Sequence, residues 1–120
     1  MIRDSNDPSA ANIFVGAAGY QQGAVFQSRS AVGESTNHHK MIFVNNYNQF
    51  YVKLDKVDSV VTASYKADLG DEWIELGSVT LTLTGSTVQV GRAVSAGSNY
   101  QYALETLQTK MYAVSVAVSV

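Results

Sequence analysis

The chain has 120 residues and a mass of 12.9 kDa, which is enough for one domain with a buried core and too little for two. Only 15% of the residues are charged, 46% are hydrophobic and the formal net charge is -2, so the composition excludes intrinsic disorder and a nucleic-acid or anionic-membrane binder that depends on positive charge. The absence of cysteine excludes a disulfide framework, a thiol nucleophile and a cysteine-ligated metal.

Residues 1–12 are rich in Asp, Asn and Ser and contain the only proline, Pro8. Short polar side chains compete for backbone hydrogen bonds, which favours turns and solvated segments. We therefore predict an extended N-terminal arm over residues 1–12 and a single β domain over residues 13–120. Because the arm has no continuous apolar run, we predict no signal peptide and synthesis in a cytoplasm.

Apolar residues between Ile13 and Val32 are interrupted by glycines. Each glycine costs a helix interior up to about 1 kcal/mol, so this segment predicts short strands and loops. Farther along, Ile42 and Val44 and then Phe50, Val52 and Leu54 alternate with other residues on both sides of a polar stretch, residues 45–49. This pattern predicts a hairpin that pairs Val44 with Phe50 and Ile42 with Val52.

The apolar phase then changes to odd-numbered positions from Val57 to Tyr65, which indicates a bulge or a turn near residues 55–56. Trp73, Ile74 and Leu76 predict a short strand after a turn at residues 69–71.

Residues 79–90 contain the strongest local signal, an alternating segment on each side of Gly85-Ser86. Glycine accepts the positive φ of a type II′ turn, so we predict a hairpin that pairs Leu83 with Val88 and Leu81 with Val90. Residues 100–111 fit a strand or a helix, and their tyrosines and threonines favour the strand.

The last residues, Ala113 to Val120, alternate valine with alanine and serine and carry no charge, proline or glycine. This stretch is far shorter than the roughly 20 residues that span a bilayer, so no transmembrane segment is predicted. Proteins avoid leaving such a strand at an exposed sheet edge. Either it is a central strand of its own domain or it contacts another subunit, in which case the interface residues are Val114, Val116, Val118 and Val120.

Many short strands, regular turn signals and no long helix predict an all-β fold, either an antiparallel β-sandwich or a jelly-roll-like barrel with the extended arm. The pattern does not determine the strand order.

Candidate chemistry is sparse. His38 and His39 are adjacent, so on a strand their side chains point to opposite faces and do not form a metal site by themselves. Residues 68–72 contain three carboxylates without the spacing of an EF-hand, which is typical of a solvated turn. We predict no enzyme: no catalytic residue, no cofactor and no metal. The one alternative binding site is a glycan surface built from Trp73, Tyr100 and Tyr102.

From Asp4-Ser5-Asn6-Asp7 to Val114-Ser115-Val116-Ala117-Val118, the chain resembles the virion structural proteins of tailed bacteriophages, especially capsid decoration or cement proteins. The resemblance implies a homo-oligomer, a trimer or dimer, in the virion. It further implies that the N-terminal arm, with Asp4, Asn6 and Pro8, contacts the major capsid protein and that neighbouring capsid subunits are bridged. The alternative is a carbohydrate-binding or receptor-binding β-sandwich module. No nucleic-acid or membrane partner is expected.

Overall fold

The computed structural model describes residues 1–18, 23–43, 50–82 and 87–91, and this part of the chain forms two antiparallel sheets that pack together. The strands are β1 (Ile2–Arg3), β2 (Asn12–Ala18), β3 (Gly23–Arg29), β4 (Asn37–Phe43), β5 (Tyr51–Val57), β6 (Val60–Lys66), β7 (Ile74–Thr80) and β8 (Gln89–Val90). One sheet has five strands in the order β4-β3-β2-β1-β8, and the other has three in the order β5-β6-β7. The predicted all-β, sandwich-like class is confirmed.

Strands β2 and β3 confirm that the glycine-rich segment is extended. Asn12 pairs with Arg29, and the register continues without interruption to Ala18 and Gly23. Ile13 and Val15 alternate along β2 toward the core, as period-two geometry requires.

The predicted hairpin between residues 42 and 52 is wrong. Ile42 pairs with Ala24 in the five-stranded sheet, whereas Val52 pairs with Tyr65 in the three-stranded sheet. Both Ile42 and Leu54 pack against the same core from opposite layers. Apolar residues alternate in the same way along a strand that pairs in a hairpin and along a strand of the facing sheet. The pattern therefore did not distinguish these two arrangements. Val44 and residues 45–49 lie outside the described residues.

The change of apolar phase after Leu54 comes from a tight turn, which lies at residues 58–59 and not at residues 55–56. Asp58 has a φ of 53°, and Val57 and Val60 pair directly across the turn. Aspartate tolerates this left-handed conformation better than most residues do. The predicted strand after residues 69–71 is present as β7, and the turn before it is closed by a hydrogen bond from Asp71 N to Asp68 O (3.1 Å).

The predicted pairing of Leu81 with Val90 is also wrong. The Leu81 amide donates to Ser59 O (2.8 Å) beside the three-stranded sheet, whereas Val90 pairs with Ile2 in the five-stranded sheet. The two apolar segments therefore belong to facing layers, although they are close in sequence. Leu83 and the turn at Gly85-Ser86 lie outside the described residues, as do residues 100–111.

Within residues 1–12, predicted as an extended arm, the structure has a short strand and a loop. Ile2 is buried in the core, and β1 lies between β2 and β8. A pair of hydrogen bonds between Met1 and Gly91 extends this pairing beyond the strand ends. Residues 4–11 form a loop that returns to β2.

The core lies between the two sheets, and its largest fully buried side chains are Phe26, Ile13 and Val61. Phe26 and Ile13 come from the five-stranded sheet, and Val61 comes from the three-stranded one. This interlayer cluster is the hydrophobic contact that holds the sandwich together.

Candidate interaction surfaces

The loop formed by residues 4–11, here the N-terminal loop, is folded by its own hydrogen bonds. The Asp7 carboxylate accepts from the Ser9 amide (2.8 Å) and the Ser9 hydroxyl (2.7 Å). The Ala10 amide donates to Asp7 O, and the Asp4 amide donates to Ala11 O, both at 3.0 Å. An aspartate that accepts from the residue two positions later forms an Asx turn, which is why Asp-Pro-Ser suits this bend.

Two arginines fasten the N-terminal loop to the sheet. Arg3, Asn12 and Arg29 lie in register on adjacent strands, on the side of the sheet opposite the core. The Arg3 guanidinium donates to Asp7 O, the Arg29 guanidinium donates to Pro8 O (3.0 Å), and the Asn12 amide donates to Ala10 O (3.0 Å). Donors from three strands therefore converge on the backbone of one loop.

A second turn, residues 31–34, lies against the N-terminal loop. Glu34 N donates to Ala31 O (3.2 Å) and Gly33 has a φ of 78°, as in a type II turn, where this position favours glycine. The Gly33 amide also donates to Ser9 O (3.0 Å), which joins the turn to the loop. Val32, at the turn's apex, is 63% exposed. We call the N-terminal loop and this turn together the loop surface.

The loop surface contains Asp4, Asn6 and Pro8, the N-terminal residues that were predicted to contact a partner. Asn6 and Pro8 are exposed, whereas Asp4 is half-buried. Hydrogen bonds from the Ser9 hydroxyl and the Ser9 amide lower the pKa of Asp7, and the positive charge of Arg3 lowers it further. The Asp7 carboxylate therefore keeps its charge to lower pH than an isolated aspartate does.

A second surface surrounds Trp73, which precedes β7 and is 37% exposed. The ammonium groups of Lys53 and Lys66 lie 4.7 Å and 4.5 Å from the centroid of its ring, and that of Lys66 is 5.9 Å from the ring of Tyr51. Lys53 also pairs with Asp55 (3.2 Å), and Lys66 donates to Leu69 O (2.9 Å). These four residues, Tyr51, Lys53, Lys66 and Trp73, form what we call the Trp73 patch.

The Trp73 patch combines flat aromatic rings with positive charge. Such a surface suits a ligand with both an apolar face and an anionic group, such as an acidic saccharide. The other two predicted glycan residues, Tyr100 and Tyr102, lie outside the described residues. The valines of the predicted C-terminal interface, Val114, Val116, Val118 and Val120, also lie outside them.

His39 contacts side chains of the neighbouring strand β3. Nε2 of His39 is 2.6 Å from the hydroxyl of Ser28, and the His39 ring lies 4.9 Å from that of Phe26. His39 occupies a bulge, because Lys40 pairs with Phe26 and His38 pairs with Gln27. Ser28 is buried, so its hydroxyl is not presented to a substrate as a catalytic serine would be.

The carboxylates of residues 68–72 serve the turn before β7. Asp71 Oδ2 accepts from the Asp68 amide (3.1 Å), which closes the turn through a side chain. Within residues 1–18, 23–43, 50–82 and 87–91, no three His, Asp or Glu side chains are grouped as metal ligands. In the same part of the chain, no helix is long and apolar enough to cross a membrane.

Sequence reasoning missed Arg3, Arg29, Val32 and the two lysines of the Trp73 patch. The arginines and lysines come from different strands, and only the register brings them together. Gly33 was the one signal in the sequence, because glycine is typical of the third position of a type II turn. No known protein family, curated protein or solved structure matches this chain.

Proposed function

We propose that this protein is a non-enzymatic virion structural protein of the capsid decoration or cement class, which oligomerises and bridges neighbouring capsid subunits. The observation that carries the proposal is the loop surface, which is exposed yet held by donors from three strands. A loop that is already ordered loses little conformational entropy when a partner binds it. A rigid scaffold that presents such a loop is typical of proteins whose role is contact.

Composition supports the same proposal. Only 15% of the residues are charged, which favours burial in a permanent assembly because few ions must be desolvated. In this proposal the protein is made in a host cytoplasm and resides in the virion. Asn6 and Pro8 of the loop surface contact the major capsid protein, with Asp4 at its edge. Val114, Val116, Val118 and Val120 contribute to the contact between copies in a trimer or dimer.

The proposal is tested by comparing two exposed valines at different places on the molecule. Val32 (63% exposed) lies on the loop surface, and Val57 (71% exposed) lies at the turn between β5 and β6. We expect Val32→Arg to weaken co-sedimentation with undecorated tailed-phage capsids about tenfold or more, because it places a charge in the contact. Val57→Arg is the matched control and should bind as the wild type does.

Light scattering of the purified protein supplies the second test. A molar mass of two or three chains is expected, and capsid binding should follow the oligomer rather than the monomer. A strictly monomeric protein that sediments with none of the capsids would contradict the proposal.

The Trp73 patch favours a second candidate function, a carbohydrate-binding or receptor-binding module. Partial exposure of Trp73 and two ammonium groups on its ring suit an acidic sugar. Trp73→Ala should then abolish binding to an array of sulfated or sialylated glycans and leave the molar mass unchanged. Loss of capsid binding in Val32→Arg, with no glycan bound by the wild type, would favour the structural role.

A further inference from the structure

The N-terminal loop contains the one Asp-Pro sequence of the chain, Asp7-Pro8. Its peptide bond differs from the others in chemistry. The nitrogen belongs to the proline ring and carries no hydrogen, so it leaves as a basic secondary amine. The carbonyl carbon of Asp7 is joined to the Asp7 carboxylate through Cβ and Cα alone, so attack by a carboxylate oxygen closes a small ring, a cyclic anhydride. Both features favour cleavage at this bond.

The Asp7 carboxylate is held beside this bond. Its Oδ1 accepts from the Ser9 amide (2.8 Å) and from the Ser9 hydroxyl (2.7 Å). The hydrogen bond from the amide closes a ring of atoms that contains the Asp7–Pro8 peptide bond, as in every Asx turn, so it keeps the carboxylate over that bond. A nucleophile restricted to the neighbourhood of its target has a high effective concentration.

The carbonyl oxygen of Asp7 accepts two hydrogen bonds. The Arg3 guanidinium donates one, and the Ala10 amide donates the other (3.0 Å). In the tetrahedral intermediate of acyl transfer this oxygen becomes negatively charged, and donors that are already in position stabilise the charge. The other side of the bond is also held, because the Arg29 guanidinium donates to Pro8 O (3.0 Å). The loop therefore presents a nucleophile, a polarised carbonyl group and a good leaving group at one peptide bond.

We propose that the chain cleaves its own Asp7–Pro8 bond, with Asp7 as the nucleophile and with Arg3 and the Ala10 amide as the donors to the carbonyl oxygen. Oδ2 of Asp7 bonds to the Asp7 carbonyl carbon, which forms the anhydride. The bond from this carbon to the Pro8 nitrogen breaks as the nitrogen takes a proton from water. A water molecule then opens the anhydride and leaves two carboxyl groups on Asp7. The net reaction consumes one water and needs no other reactant.

The surroundings of the bond suit this reaction. Asp7 and Pro8 are both exposed, so water reaches the leaving nitrogen and the anhydride. The hydrogen bonds from Ser9 lower the pKa of Asp7, which keeps the nucleophile ionised in mild acid, where a proton for the leaving nitrogen is readily available.

The two products remain associated. Ile2 is buried in the core and β1 pairs with β2 and β8, so residues 1–7 stay bound to residues 8–120 after the bond is cut. The cut is therefore detected by mass spectrometry of the denatured protein. The reaction occurs once in each chain and involves no partner, so it goes beyond the proposed virion role and does not depend on it.

The first experiment compares the folded chain with the unfolded chain. Wild-type protein is incubated in mildly acidic buffer with and without urea, circular dichroism verifies the two states, and mass spectrometry measures the fraction cleaved. Asp-Pro bonds are labile in acid, so the unfolded chain gives the intrinsic rate. We expect the folded chain to be cleaved about tenfold faster or more, because the donors to the carbonyl oxygen are positioned by the fold. A folded rate equal to or below the unfolded rate would overturn the proposal.

Two arginine variants distinguish polarisation of the carbonyl group from ordering of the loop. Arg3 and Arg29 both fasten the loop to the sheet, but Arg3 donates to Asp7 O and Arg29 donates to Pro8 O. Arg3→Met should lower the folded rate about tenfold or more, whereas the matched control Arg29→Met should retain most of it. Asp7→Ala should abolish cleavage. An equal loss of rate in two arginine variants that keep the wild-type circular dichroism, or cleavage in Asp7→Ala, would contradict these roles.

Discussion

The ring of Phe26 lies 3.5 Å from the point that a Cβ would occupy on Gly77, so a side chain of the five-stranded sheet packs against bare backbone of the three-stranded sheet. Phe26 is the largest of the fully buried side chains. The ring of His39 also lies beside it, tilted by 41° at a centroid distance of 4.9 Å. A methyl group at residue 77 would therefore touch this ring at ordinary van der Waals distance, and the constraint on residue 77 lies in its backbone conformation.

Gly77→Ala should destabilise the fold. Gly77 has a φ of 157°, a conformation that residues with a Cβ rarely adopt, and the loss should be about 1–3 kcal/mol in the free energy of unfolding. Urea denaturation followed by circular dichroism measures it. Gly70→Ala is the control, because nothing lies within 4 Å of the added methyl group. Equal stability of the two variants would contradict the role assigned to Gly77.

Gly16→Ala should displace the ring of Phe14. An added Cβ on Gly16 would lie 2.5 Å from the end of that ring, closer than van der Waals contact allows. The two residues share one face of β2, so the ring lies along its own strand over the glycine. We expect a loss of about 0.5–1.5 kcal/mol, the cost of turning a half-buried ring out of its preferred rotamer. In Phe14→Ala the same change at residue 16 should cost much less, and strict additivity of the two substitutions would refute this contact.

Much of the local structure follows from the alternation of apolar residues, but the choice of partner strands does not. The pattern around Ile42 and Val52 predicted strands correctly and joined them wrongly, because both sides of a sandwich core have the same period. The same reason explains Leu81 and Val90. Whether a segment forms a strand depends on its own residues. Which strand it pairs with depends on the sheet that it joins, and the residues of the segment do not indicate that sheet.

The N-terminal segment shows a second limit. Ile2 is the one apolar side chain between Met1 and Pro8, and β1 has two residues, too few for any periodicity to register. Its burial depends on β2, which follows after a loop, and on β8, which lies far away in sequence. The candidate surfaces are limited in the same way. Trp73 stands out in the sequence as an aromatic residue, but the strand register determines that Lys53 and Lys66 lie beside it.

The N-terminal loop should loosen in acid. The pKa of Asp7 is lowered in the folded state, so the loop stabilisation from this carboxylate is complete above its unfolded pKa and is lost as pH falls through its folded pKa. Protonation removes the negative charge from the carboxyl group that accepts both Ser9 hydrogen bonds, so we expect these bonds to weaken and the NMR signal of the Ser9 amide to shift. Asp7→Asn keeps an acceptor oxygen and does not titrate, so its Ser9 signal should stay constant over the same pH range. A wild-type signal that does not titrate would contradict this account.

The two lysines should shield Trp73 from solvent. Each ammonium lies within 5 Å of the ring centroid, and a cation–π contact at an exposed site is worth about 0.5–1 kcal/mol. Because Trp73 is the only tryptophan, acrylamide quenching of fluorescence reports on this ring alone. Lys66→Gln should raise the quenching constant and cost at most about 1 kcal/mol in stability. Lys56→Gln is the control, because the Lys56 ammonium lies at the far end of β5, where it donates to Asp58 O (2.5 Å). Equal quenching constants in the two variants would exclude the shielding role.

Removal of residues 115–120 should abolish assembly. The deletion takes away three valines, Val116, Val118 and Val120, and each buried valine contributes about 1.5–3 kcal/mol to the state that buries it. Whether these side chains lie in the protomer core or against a second copy, the truncated chain exposes apolar surface that was covered before, so it should be insoluble or fail to oligomerise. Solubility and light scattering distinguish the two cases. If the truncated chain is a soluble monomer with the circular dichroism of the wild type, the valines belong to the contact between copies. If it is insoluble, they belong to the core of the protomer. A truncated protein that is soluble and fully assembled would show that the segment is needed for neither.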